Sequence, residues 1–172
     1  MHRLSTKQLT FAALLAAVYA LLTVSLPVPQ FGAVQIRFAE ALTVLPFLFP
    51  AATPGLVVGC FIANLFSPFP LDMVFGTFAT LLACLITARM PNRWLAPLPP
   101  VLCNALIVGF EIAWSEVGLT PAFWPAFGWN MVTVGAGELA ACYLLGLPLL
   151  AALLRLPQVR ALVPAQRLEK LA

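Results

Sequence analysis

Charge is what this sequence has least of. Asp, Glu, Lys and Arg make up only 9% of its 172 residues, where an ordinary globular domain carries about a quarter. It has one histidine, His2, and one aspartate, Asp72. A single histidine gives a Cys/His zinc site no ligand set, and no metal or other cofactor is expected. A single aspartate excludes a paired-aspartate protease, although VGAGE at Val134–Glu138 has a superficial likeness to the Gly-x-Gly-Asp of intramembrane aspartyl proteases. HExxH and Walker A patterns are both missing, so any coupling to ATP must come from another chain. No basic groove is interleaved with aromatics, which argues against nucleic acid as a partner. The four cysteines (Cys60, Cys84, Cys103, Cys142) all fall inside apolar runs, where cysteine packs as a small hydrophobe. These absences leave a chain that binds or assembles and is not an enzyme.

Apolar residues are what is there. The sequence is 62% hydrophobic, with a mean hydropathy of +1.00. A fold this small has too much surface per volume to hide that much apolar area, so lipid must cover its outside. We expect an all-α integral membrane protein, one transmembrane domain over residues 1–172, with six helices at about 9–26, 36–49, 55–67, 71–88, 99–117 and 130–154. The second and third runs are short, as for tilted spans or a re-entrant hairpin. Gly118–Gly128, rich in proline and aromatics, is expected to be a loop. The first apolar run is longer than the 7–15 residues of a signal peptide and lacks a small-residue cleavage site, so it should be retained. The basic head (Arg3, Lys7), Arg89, Arg93 and the tail (Arg155, Arg160, Arg167, Lys170) hold eight of the nine basic residues. By the positive-inside rule both termini are cytoplasmic. Only Arg37 falls outside.

That orientation sorts the polar residues by depth. Arg37 and Glu40 lie at the outer end of the second run, Asn64 near the outer end of the third, and Asp72 at the outer start of the fourth. Glu111 and Glu116 fall toward the outer end of the fifth. Glu138 lies about 12 Å down the sixth at helical rise. A charge in mid-bilayer costs about 2.5–3.5 kcal/mol and usually faces a cavity or partner. The simplest arrangement is one polar pocket, open to the outside and closed below by apolar residues. Arg37 and Glu40, three apart, could pair with each other or contact a ligand. Asp72 could cap its own helix. Glu138, the deepest carboxylate, follows two glycines that permit close backbone approach and is the favoured ligand contact. Asn104 maps deeper, as an interhelical hydrogen bond. Trp124, Trp129, Phe123 and Phe127 make an interfacial belt or one wall of the pocket. Carboxylates with aromatics suit a flat, polar, neutral-to-cationic ring; an anion would call for more cations than Arg37.

A stripe of small residues runs down the first helix. Ala12, Ala16 and Ala20 share a face, with Ala13 and Ala17 beside it. Such a stripe lets another helix approach closely. It is either ordinary packing or a docking face for another subunit.

Three blocks of sequence carry a family resemblance: VQIRFAEALTVLPFLFPAATPGLVVGCFIANLFSPFPLDMVFGTFATLLA, LAPLPPVLCNALIVGF and VGAGELAACYLLGLPLL. In this order, over nearly the whole chain, they resemble the QueT-type queuosine-precursor transporters. These are substrate-binding (S) components of energy-coupling-factor (ECF) transporters. The resemblance implies a six-helix S-component fold in a bacterial inner membrane. It implies partnership with a transmembrane T component and two cytoplasmic ATPase subunits, with the alanine stripe on helix one as the docking face. It implies a deazaguanine-type ligand, namely the aminomethyl precursor, queuine or queuosine. Residue chemistry nominates Glu138, Glu40, Arg37, Asn64, Asp72, Glu111 and Trp129 as its contacts. Another vitamin-like ligand, or a purely structural membrane subunit, is the alternative.

Overall fold

A backbone in lipid must satisfy its own polar groups, which leaves helices as the economical solution for runs like these. A computed structural model describes residues 5–171, and those residues form helices and turns without strands. His2 and Arg3, read above as a lone histidine and part of the basic head, lie outside the described residues.

Helix α1 (Thr6–Ser25) starts at a capping box, in which Ser5 and Gln8 bond each other's backbone N–H groups. After a loop comes a ten-residue 3-10 helix, Phe38–Phe47. Helices α2 (Thr53–Asn64) and α3 (Asp72–Thr87) follow. Helix α4 (Leu98–Val117) contains a π turn at Asn104–Val108. Gly118, at φ 60°, then ends it in a conformation that favours glycine. Helix α5 (Phe123–Arg155) contains a second π turn at Ala140–Gly146. Pro148 sits just beyond that turn, where its ring and missing N–H disfavour the ordinary bond to the carbonyl four residues back. A strap of short turns, 157–171, completes the described chain.

Helices α1, α4 and α5 are long and apolar enough to cross a membrane. The 3-10 helix, α2 and α3 are apolar but shorter. Leu14, Leu21, Phe61, Val74, Leu106 and Leu144 stand exposed on the outer surface, as expected of residues facing lipid rather than water.

Two sequence boundaries need correction. The stretch 118–128 is not all loop, because α5 begins at Phe123. Pro125 falls in the first turn, where a missing N–H costs nothing. Phe123 packs edge-on against Phe110 of α4, with centroids 5.1 Å apart. The run 36–49, expected as a tilted span or part of a re-entrant hairpin, is not wound as an α-helix. It is the 3-10 helix, buried on nearly every side among α1, α3 and α5. Pro46 clashes with the carbonyl four residues back in α winding. The Thr43 hydroxyl takes the Glu40 carbonyl, at 2.6 Å.

Close approach of backbones sets the rest. A Cβ at Gly55 would lie 2.2 Å from the Ala12 carbonyl oxygen, and one at Gly59 would lie 2.8 Å from that of Ala16. The alanine stripe is thus occupied within the protein. Ala12 and Ala16 are buried against α2, Ala20 is half-buried, and only Ala13 and Ala17 are exposed. The expectation that the Ala12–Ala16–Ala20 face meets another subunit is corrected accordingly: its partner is α2, whose glycines admit it.

Candidate functional site

The 3-10 helix brings its polar residues inward. Side chains three apart eclipse in 3-10 winding, so Glu40, Thr43 and Pro46 form one column. All three are buried, as is Arg37 just before the helix. Around this column stand Tyr19 of α1, Asn64 at the end of α2, Asp72 at the start of α3, Asn104 and Glu111 of α4, and Glu138 of α5. None is more than 4% exposed.

Arg37 does not pair with Glu40. Its Nη2 lies 3.6 Å from Asp72 Oδ2, its Nε donates to the Gln30 carbonyl at 2.7 Å, and its guanidinium carbon sits 4.9 Å from the Phe31 ring centroid. Glu40 Oε1 instead accepts from the Tyr19 hydroxyl. The reason is direction: Arg37 precedes the 3-10 helix in an extended conformation, which turns it toward α3. Asp72 does not cap its helix, since no side chain caps α3. Its carboxylate accepts from Ser67 Oγ at 2.5 Å and faces Arg37, while its place in the first turn still suits the helix dipole.

Asn64 Nδ2 donates to the Asp72 carbonyl at 2.8 Å. Gly76 makes room for that amide, because a Cβ there would lie 2.8 Å from it. Glu111 accepts from Ser115 at 3.1 Å and stands within coulombic reach of both Asp72 and Arg37. Glu138 lies near Glu40, Arg37 and Asn104, and takes a weak hydrogen bond from Cys142 Sγ at 3.8 Å. Because α5 starts earlier than the sequence suggested, Glu138 is about 22 Å from its helix start at helical rise, further along the helix than expected. Gly137 lets the chain before the 3-10 helix press onto α5; a Cβ there would meet the Gln35 carbonyl oxygen at 1.9 Å.

Sequence reasoning missed Tyr19, Gln35 and the role of Asn104. Tyr19 is one of two tyrosines, and a buried tyrosine hydroxyl needs a partner; that was its available signal. Asn104 faces carboxylates of two other elements, as an interhelical contact should, but at longer range than a well-formed hydrogen bond. It stands beside Glu40 and Glu138, on the π turn of α4, and π turns recur at functional sites. Two predicted residues lie elsewhere. Trp129 is 64% exposed, outside the cluster. Glu116 is exposed and accepts from Asn130 at 3.0 Å. Of the expected aromatic belt, Phe123, Phe127 and Trp124 pack with Phe110 and Trp114 between the end of α4 and the start of α5.

The cluster holds more hydrogen-bonding capacity than the protein itself uses. Glu40 Oε2, Asp72 Oδ1, Glu111 Oε2, Asn64 Oδ1, Gln35 Oε1 and both polar atoms of Asn104 are buried without a protein partner. An unmade bond in such surroundings costs about 1–3 kcal/mol. Most of these atoms are acceptors; Arg37, the one cation of the cluster, also has its Nη2 without a hydrogen-bond partner, 3.6 Å from Asp72 Oδ2. Such a set can hold a compact group rich in N–H donors. No group of three or more His, Cys, Asp or Glu among the described residues is arranged to hold a metal ion.

Comparison with known proteins bears on this arrangement. A family model described as QueT transporter matches residues 9–155. No curated protein and no solved structure matches.

Proposed function

Because this chain belongs to the QueT transporter family, we propose that it is the substrate-binding S component of an ECF transporter. It captures a queuosine precursor or salvage compound from the outer side of a bacterial inner membrane. In this reading the protein is one transmembrane unit of six crossings with both termini cytoplasmic. It works with a T component and two cytoplasmic ATPase subunits and performs no chemistry itself. The observation that carries the substrate reading is the excess of buried acceptors around Arg37. A deazaguanine ring presents a row of N–H donors along one edge, and an aminomethyl group adds a cation. Carboxylates accept such donors in charge-assisted bonds. Glu138, Glu40, Asn64, Asp72 and Glu111 supply acceptors from five separate elements, and Arg37 holds Asp72 in place.

A thermal-shift screen tests this. The detergent-purified protein is heated with deazaguanine bases, queuosine and common vitamins. A ligand that binds the folded state raises stability by mass action. A shift with the aminomethyl base, queuine or queuosine is the expected result. A shift with a vitamin alone would reassign the substrate within the same transport role. No shift with any of them would favour a structural subunit.

The contacts are tested by affinity. Glu138→Gln and Glu40→Gln should each weaken binding by about 1.5–3 kcal/mol, the range for hydrogen bonds to charged groups. Isothermal titration of both variants reads this directly, and unchanged affinity would remove that residue from the site.

A further inference from the structure

A groove of about 700 Å³ opens at the opposite end of the protein from Asp72, between α1, the end of the 3-10 helix, the last turns of α5 and the strap. Phe11, Leu15, Leu45, Leu153 and Leu162 line it, and among the described residues its only polar lining side chains are Lys7 and Gln8, with no carboxylate. The strap forms one wall and is fixed from behind. Arg167 Nη1 donates to the carbonyls of Phe47 (2.9 Å) and Ala88, and Lys170 Nζ donates to that of Met90 at 3.1 Å. Phe47 and Ala88 end the 3-10 helix and α3, where cations suit the exposed carbonyls. Val163 is buried beneath. The strap lies beyond residue 155, outside the family match.

We propose that this groove is a binding site for one anionic phospholipid. Its acyl chain lies along the apolar floor and its phosphate meets Lys7. The volume lies in the range of pockets that bury one small organic guest, room for a single acyl chain with the rest of the lipid outside. A soluble polar ligand would find almost no hydrogen-bond partner along the lining. The end of the protein around the mouth also carries exposed Arg155 and Arg160, and basic pockets between membrane helices on this side attract anionic headgroups. Lys7 is exposed on the first turns of α1, where a long side chain can reach the headgroup level.

Native mass spectrometry of the detergent-purified full chain tests the site, with phosphatidylglycerol and phosphatidylcholine of identical chains titrated separately. One phosphatidylglycerol should be retained about fivefold more tightly than phosphatidylcholine, as one lysine near an anionic group gives. Lys7→Gln should erase that preference. Leu162→Glu, at a position 74% exposed and so safe for folding, should weaken retention of both lipids. Equal retention of the two lipids by the native chain, a preference that survives Lys7→Gln, or retention indifferent to Leu162→Glu would each overturn the proposal. So would no retained lipid.

Discussion

Gly137→Ala should destabilise the protein by at least about 3 kcal/mol, the upper end of overpacking costs. The added methyl would lie 1.9 Å from the Gln35 carbonyl oxygen. The obstacle is backbone, not the end of a flexible side chain, so no rotamer change relieves it. The segment that carries Gln35 and Arg37 must then lift from α5. Ligand affinity should fall with stability, because Glu138 would no longer face the 3-10 column. Unfolding in mixed micelles gives the first effect and calorimetry the second. A variant as stable as the parent would mean that α5 and this segment do not meet as described. Gly135→Ala is the internal control: its Cβ would come only within 3.2 Å of the Ala105 methyl, a contact that a small shift relieves.

Arg37→Leu should cost about 3–5 kcal/mol, as when one member of a buried ion pair is removed. Arg37 and Asp72 are 3% and 1% exposed. Without the guanidinium, the Asp72 carboxylate keeps Ser67 as its side-chain donor and stands near Glu111 with no cation between them. The double variant Arg37→Leu/Asp72→Leu should recover most of the loss, since it removes both charges together. It should not recover ligand binding. That split separates the two roles of the pair. Equal loss in the single and double variants would show that the Arg37 contacts to Gln30 and Phe31, rather than the ion pair, hold this end together.

The sequence made the membrane environment and the all-helical class legible, because both follow from composition and run length. It also anticipated that polar residues scattered along the chain meet in one place. Arg37, Glu40, Asn64, Asp72, Glu111 and Glu138 do converge, because a charge inside an apolar run has few places to go. What it could not supply was direction. Spacing put Arg37 beside Glu40, but spacing arguments presuppose α winding, and the extended backbone at Arg37 breaks that premise. Tyr19 was hidden in an apolar run that looked complete without it. The alanine stripe was recognised as a close-packing surface, but nothing in α1 alone says which helix approaches it. The answer lay in Gly55 and Gly59, four residues apart on α2, spaced to match Ala12 and Ala16. Trp129 was included for its aromatic character alone, and α5 turns it outward.

The 3-10 winding of Phe38–Phe47 has a consequence for how this protein can vary. Three residues make one turn, so every third position points the same way for the length of the segment. Exchanges of one side chain for another leave that phase intact. A single-residue insertion or deletion does not: it rotates everything upstream by about a third of a turn. Placed between Glu40 and Thr43, it would swing Arg37 and Glu40 from the interior toward the helix surface that α1 and α5 now cover with apolar side chains. The segment is therefore open to substitution and closed to length change, and a chain of this type that keeps this buried cluster should keep the count of residues from Arg37 to Pro46.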